Sequence, residues 1–113
     1  MLQVLKVSAD FSDIPGPRYI REGSYSGEDF RERLLLPRLK ECIEKGDILQ
    51  IDLDGTQGYG TSFLEEAFGG LIRVNQLSLS DISDHIIIIS EEEPYLKDDI
   101  EEYMRDAENE KEL

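Results

Sequence analysis

The sequence predicts an α/β domain in the order β-β-α-β-α-β-α, a mixed sheet of about four strands with helices packed against it. Three observations carry this. The runs Ile48–Leu53 and His85–Ile89 are almost continuously aliphatic, as central strands buried on both faces must be. Segments beginning near Ser26, Ser62 and Tyr95 repeat apolar residues every three or four positions, the spacing of an amphipathic helix. A length of 113 residues fits one domain with one modest core.

Taken in order, Leu2–Ser8 reads as a strand, with Leu2, Val4 and Lys6 alternating against Val7. Asp10–Pro17 gathers Asp, Ser, Pro and Gly and reads as a loop. Arg18–Glu22 reads as a second strand, the antiparallel partner of the first, and Gly23–Gly27 as a loop. Ser26 then caps a helix, with Glu28 and Asp29 in the first turn, where the helix dipole favours anions. Its apolar face is Phe30, Leu34, Leu35, Leu39, Cys42 and Ile43. Pro37 falls inside this pattern and removes one hydrogen bond, so a kink or two helical pieces is expected. Gly46 stops the helix.

After the central strand, Ser62–Val74 forms a helix on Phe63, Leu64, Ala67, Phe68, Leu71 and Ile72. Ser62 and Glu65 match a capping box. Gly69-Gly70 weakens the helix, and close packing of backbone against the sheet is the expected return. Asn75–Asp84 is a connection, and His85–Ile89 the last strand. Tyr95–Ala107 is a mostly charged helix with a narrow stripe of Leu96, Ile100, Tyr103 and Met104. Residues 1–108 make one domain, and 109–113 a frayed acidic tail. The unit from Ile48 to Ile89 implies a parallel crossover.

The charge is −14, from 12 basic and 26 acidic residues. That opposes binding to nucleic acid, which needs clustered Lys or Arg, and to an anionic membrane surface. It suits a soluble protein with a basic partner. The longest apolar run, Ile86–Ile89, is far too short to span a bilayer. The start, MLQVLKVSADF, lacks the basic and long apolar parts of a signal peptide, so a cytoplasmic location is expected. The single Cys42 excludes an internal disulfide and sits on an apolar helix side, as a core residue does. No cofactor, metal cluster, Ser-His-Asp set or basic aromatic patch is indicated, and His85 reads as structural. Arg18, Arg21 and Arg31 in so acidic a chain read as salt-bridge partners.

The richest segment is Asp47–Leu71, DILQIDLDGTQGYGTSFLEEAFGGL. Asp52-Leu53-Asp54-Gly55-Thr56 resembles the first motif of the haloacid-dehalogenase phosphatases, D-x-D-G-T after an apolar strand. That resemblance implies a nucleophilic Asp52, an acid/base Asp54 and bound Mg²⁺, with Ser90 mimicking the second motif. The chemistry also needs a Lys and further acidic metal ligands on later strands. The 23 residues after Ser90 read as one helix. The non-catalytic reading of Asp52 and Asp54 is a strand end and a turn.

The segments GPRYIREG, SGEDFRERLLLP and IDLDGTQGYGTSFLEEAFGGLIR together resemble the STAS-like domain of unknown function DUF4325. Its pattern is G-x-R, then S-G-x-x-F-R opening a helix, then D-L-[DS]-G and [TS]-S-F-x-x-E-x-F-G-x-L. More distantly the chain is similar to the STAS domains of anti-sigma factor antagonists. The resemblance implies a STAS-like fold, no catalysis, and a regulatory protein-interaction module in bacterial signalling. Its partner would be a histidine-kinase-like ATPase of the anti-sigma or serine-kinase type. Asp52, Leu53 and Gly55 match the D-L-x-G segment. Thr61 falls at the hydroxyl that the antagonists have phosphorylated, and Ser62 at the next. Gly60 stands where the antagonists have Asp, and Phe63 where they have Gly. The docking residues implied are Asp54, Gln57, Gly58, Tyr59, Gly60, Thr61, Ser62 and Glu65, with Tyr59 as an exposed anchor. The alternatives are the Mg²⁺-dependent hydrolase and a small nucleotide- or anion-binding module. Neither the partner nor the oligomeric state follows from the residues.

Overall fold

Parallel pairing fixes the architecture. In a computed structural model, which describes residues 1–111, strands β1 (Leu2–Lys6), β2 (Ile48–Asp52) and β3 (Ile86–Ile89) form a sheet in the order β1-β2-β3. Both pairs are parallel, with Leu5 opposite Ile51 and Ile51 opposite Ile88. Leu5, Leu49, Ile51 and Ile88 alternate onto one face, where they join a core that includes Phe30, Leu39, Phe63, Phe68, Leu71 and Ile100.

The expected four-stranded mixed sheet is therefore corrected, among the described residues, to three strands, all parallel. Arg18–Glu22 is not a strand. Ile20–Glu22 is a single 3₁₀ turn. The reason lies in where the backbone bonds go. The Pro17 carbonyl accepts from Gly27 N–H and the Arg18 carbonyl from Glu28 N–H, while Gly16 N–H donates to the Tyr25 carbonyl. The segment is committed to the start of the next helix and leaves nothing for β1. Strand β1 also ends earlier than expected, because Val7–Asp10 turns into a helical segment, α1.

Ser26 caps α2 (Gly27–Phe30), its hydroxyl accepting from Asp29 N–H at 3.0 Å. The helix continues through a π turn (Arg31–Leu35) into α3 (Leu36–Lys45). Pro37 accounts for the π turn: its ring and missing N–H disrupt the regular ladder one turn earlier, and the Leu36 amide bonds back to Arg31. Gly46, at φ 72°, ends α3 in the left-handed conformation.

A second rod has the same construction: α4 (Thr61–Leu64), a π turn (Glu65–Gly69) and α5 (Gly70–Arg73). Gly60, not Ser62, is its N-cap, and no side chain caps it. The Ser62–Glu65 capping box does not form. The connection that follows contains a short helix, α6 (Leu79–Ser83), capped by Ser78. Helix α7 spans Tyr95–Glu110, two residues into the segment expected to fray. Residues 112 and 113 lie outside the described residues. Cys42 is fully buried, and burial pushes its thiol pKa up, as suits a core residue. Among the described residues no helix is long and apolar enough to cross a membrane.

Candidate functional site

The loop between β2 and α4 is built from the two aspartates. Asp52 Oδ1 accepts from the Asp54 amide at 2.9 Å, and its Oδ2 lies 3.1 Å from Lys6 Nζ at the end of β1. The Asp54 carboxylate reaches across to the loop after β3 and accepts from the Glu91 and Glu92 amides at 3.1 and 2.9 Å. Glu92 returns the contact by accepting from Gly55 N–H. The aspartates thus end the strand and clamp two loops together. Gly55 has φ 92°, and a side chain there would also crowd Ser8.

Tyr59 differs from the expected exposed anchor. Its hydroxyl donates to the Leu53 carbonyl at 2.8 Å, and its ring lies 5.8 Å from that of Phe63. Burial pushes the hydroxyl pKa far above its ordinary value. Tyr59 anchors the loop to the core. Gln57 is exposed, and its amide donates to the Asp13 carbonyl. Gly58 takes φ 127° with open space around it, and Gly60 is also uncrowded. Thr61 and Ser62 are exposed, side by side at the head of the rod. Of the predicted site residues, Gln57, Gly60, Thr61 and Ser62 present a surface. Asp54 and Tyr59 work inward.

Glu65 also turns away from this surface, into a charge network that sequence reasoning saw from one side only. Arg31, 2% exposed, donates from Nη1 to a Glu66 carboxylate oxygen at 2.6 Å and to the Glu66 carbonyl at 2.7 Å. Its Nε holds Glu32 at 3.0 Å. Arg18 meets Glu65 at 2.5 Å and Glu66 at 3.3 Å, and Arg73 meets Glu65 at 2.8 Å and Glu66 at 3.5 Å. Three arginines balance three glutamates, so the cluster is neutral. The central pair joins the two π turns. Gly70 leaves room for it: a Cβ there would collide with the Arg31 guanidinium, and one on Gly69 would press on Glu65. The glycine pair packs against charged side chains rather than the sheet. Gly27 is different, since a Cβ there would strike the Phe63 carbonyl, so α2 and α4 approach backbone to backbone. Arg21 joins no ion pair among the described residues and lies over the Tyr19 ring at 4.4 Å.

Arg18, Arg31 and Glu66 occupy the Arg and Glu positions of the G-x-R, S-G-x-x-F-R and S-F-x-x-E motifs, far apart in sequence and joined here in space. A family model described as a STAS-like domain of unknown function (DUF4325) matches residues 26–96, from the cap of α2 to the first turn of α7. The chain belongs to that family. No curated protein and no solved structure matches it. In this STAS-like chain the motif residues hold the two rods together. Glu66 was the residue missed; its signal was the motif spacing, which aligns Glu66 rather than Glu65 with the motif's Glu.

The network sets a pH dependence. Desolvation raises the Glu65 carboxyl, but hydrogen bonds from Arg73 and Arg18 outweigh it, and the net pKa is lowered from 4.5. A lowered carboxylate pKa stabilises the fold above the unfolded value, and that stability is lost as the pH falls through the folded value. The Arg73→Gln variant is expected to melt below the parent at neutral pH. The gap should narrow as the pH falls from about 6 to about 3. A gap constant across a pH series of melting curves would show that Arg73 acts through packing instead.

Proposed function

We propose that this protein is a non-enzymatic regulatory interaction module that docks a protein partner through the loop and helix head at Asp54–Glu65. The observation carrying this reading is the exposed Thr61-Ser62 pair at the head of a largely buried rod. The rod is fixed by the charge network and the loop by Asp54 and Tyr59, so the hydroxyls stand on a preformed surface. A partner pays little ordering cost there. The family resemblance favours a histidine-kinase-like ATPase in a bacterial cytoplasm. A phosphate added at Thr61 or Ser62 would place about −2 charges on the docking face and weaken the contact. The acidity of the chain supports a protein partner over nucleic acid.

Incubation with ATP and such an ATPase is expected to add one phosphate in intact-mass spectra, and Thr61→Ala or Ser62→Ala to abolish it. No added phosphate, with binding retained, would leave docking without the switch. Loss of neither binding nor phosphate in the double variant would place the contact elsewhere.

The hydrolase reading gains one feature, Lys6 Nζ beside Asp52. Against it, Asp54 is spent on two amides and the Ser90 hydroxyl on the Glu93 carbonyl. Mg²⁺-dependent phosphatase activity lost in Asp52→Asn would establish that reading. The small nucleotide- or anion-binding alternative gains no comparable feature.

A further inference from the structure

A parallel sheet is ordinarily covered on both faces, because its strands are apolar on both. Here the helices cover one face. The other carries Leu2, Val4 and Lys6 from β1, Ile48, Gln50 and Asp52 from β2, and Ile87 and Ile89 from β3. The register lines up Val4, Gln50 and Ile87 in one row and Lys6, Asp52 and Ile89 in the next. Leu2, Val4 and Ile87 are 52%, 49% and 43% exposed, values that sheet positions reach only when nothing lies over them. No described element covers this face. It lies behind the sheet from the rod that Thr61 and Ser62 begin.

We propose that this bare face is a second docking surface, and that its occupant is an amphipathic helix of another protein with Lys or Arg along its flanks. Three strands about 4.8 Å apart, two of five residues and one of four, make a patch roughly 14 Å by up to 17 Å, at most on the order of 240 Å². A helix about 10 Å across and 11 residues long covers that patch. Its apolar stripe would meet Val4, Ile48, Ile87 and Ile89, completing the α/β/α layering that the strand composition anticipates.

A second copy of this chain fits poorly. A stable dimer buries about 800 Å² on each partner, several times this patch, whereas a single docked helix is a smaller and weaker contact. Two copies would also bring together charges of −14 each. The rim at the C-terminal ends of β2 and β3 carries the exposed Glu91 and Glu92, and Lys6 is already paired with Asp52; Arg38, at the β1 edge, is bonded to the Val4 carbonyl. That charge selects a helix with basic flanks.

The test places a photo-crosslinking residue at Val4 or at Ile87, on opposite outer strands, in the full chain inside its host cells. The expected result is an adduct from both positions to the same amphipathic, Lys/Arg-flanked segment of one other protein. A synthetic peptide of that segment should bind the isolated chain, weaken at least tenfold between low and high salt, and weaken similarly with Ile87→Glu. Circular dichroism checks that the variant folds, and Ile87→Ser serves if it does not. Adducts to a second copy of the chain would overturn the proposal. So would adducts from Ile87 alone, which would mean a strand added at the β3 edge, or none at either position. Phosphate transfer at Thr61 or Ser62 is read separately, so failure of one surface leaves the other standing.

Discussion

Glu66→Ala is expected to lower the unfolding free energy by about 3–5 kcal/mol, the usual cost of stripping one partner from a buried ion pair. The reason is what stays behind. Arg31 is 2% exposed and its Nη1 would keep only the residue 66 carbonyl. Arg18 and Arg73 would lose their contacts to Glu66 as well, at 3.3 and 3.5 Å. Urea unfolding should show a lower midpoint with an unchanged slope, and melting should fall by about 10 °C or more. Arg31→Lys is expected to fail nearly as badly, since one ammonium cannot hold Glu66 and Glu32 from separate nitrogens. The double replacement Arg31→Met with Glu66→Leu should recover much of the loss, because no charge is then left unpaired. Equal losses in single and double variants would mean that the lost pair itself, and not an unpaired charge, carries the cost.

Gly70→Ala is the second large effect, and its sign is the informative part. In a helix interior this change ordinarily stabilises by roughly 0.5–1 kcal/mol. Here the added methyl would occupy the place of Arg31 Nη1, and the guanidinium is tied to Glu66 and Glu32 and cannot swing aside. A loss of about 1–3 kcal/mol is expected from overpacking. The same change in an Arg31→Met background should cost much less. A double-mutant cycle measures this, and a coupling near zero would show that Arg31 is free to move.

Much of the chain's local structure was legible in its residues. Ser26 and Gly46 bracket a helix because a hydroxyl cap and a left-handed glycine act within one turn of themselves. Pro37 announced a defect, and a π turn stands just before it. Ile48–Leu53 and His85–Ile89 read as strands buried on both faces; both form strands, but each buries only one face. The errors share a cause. Arg18–Glu22 has the composition of an edge strand, but its Arg18 carbonyl bonds to α2 and its Tyr19 and Ile20 carbonyls close a 3₁₀ turn. Ser62 and Glu65 have capping-box spacing, but Glu65 is drawn to Arg18 and Arg73. Tyr59 sits in a glycine-rich loop that suggested exposure, yet its hydroxyl finds the Leu53 carbonyl. Each time a specific hydrogen-bond partner, six to 47 residues away, outweighed a local preference worth about 1 kcal/mol.

For the candidate site, the motif put Thr61 and Ser62 at the start of a helix, where both are exposed, and the fold alone showed that Asp54, Tyr59 and Glu65 turn inward. By itself the sequence determined the family, the three strands of the sheet, the main helices and the acidic character, because periodicity, caps and net charge are properties of neighbouring residues or of simple sums. The tertiary structure decided the number and direction of the strands, the pairing of Arg31 with Glu66 and the sheet face left bare. Those depend on which distant segments meet, and the physics that joins them, burial of charge and of apolar surface, acts only after the chain has closed.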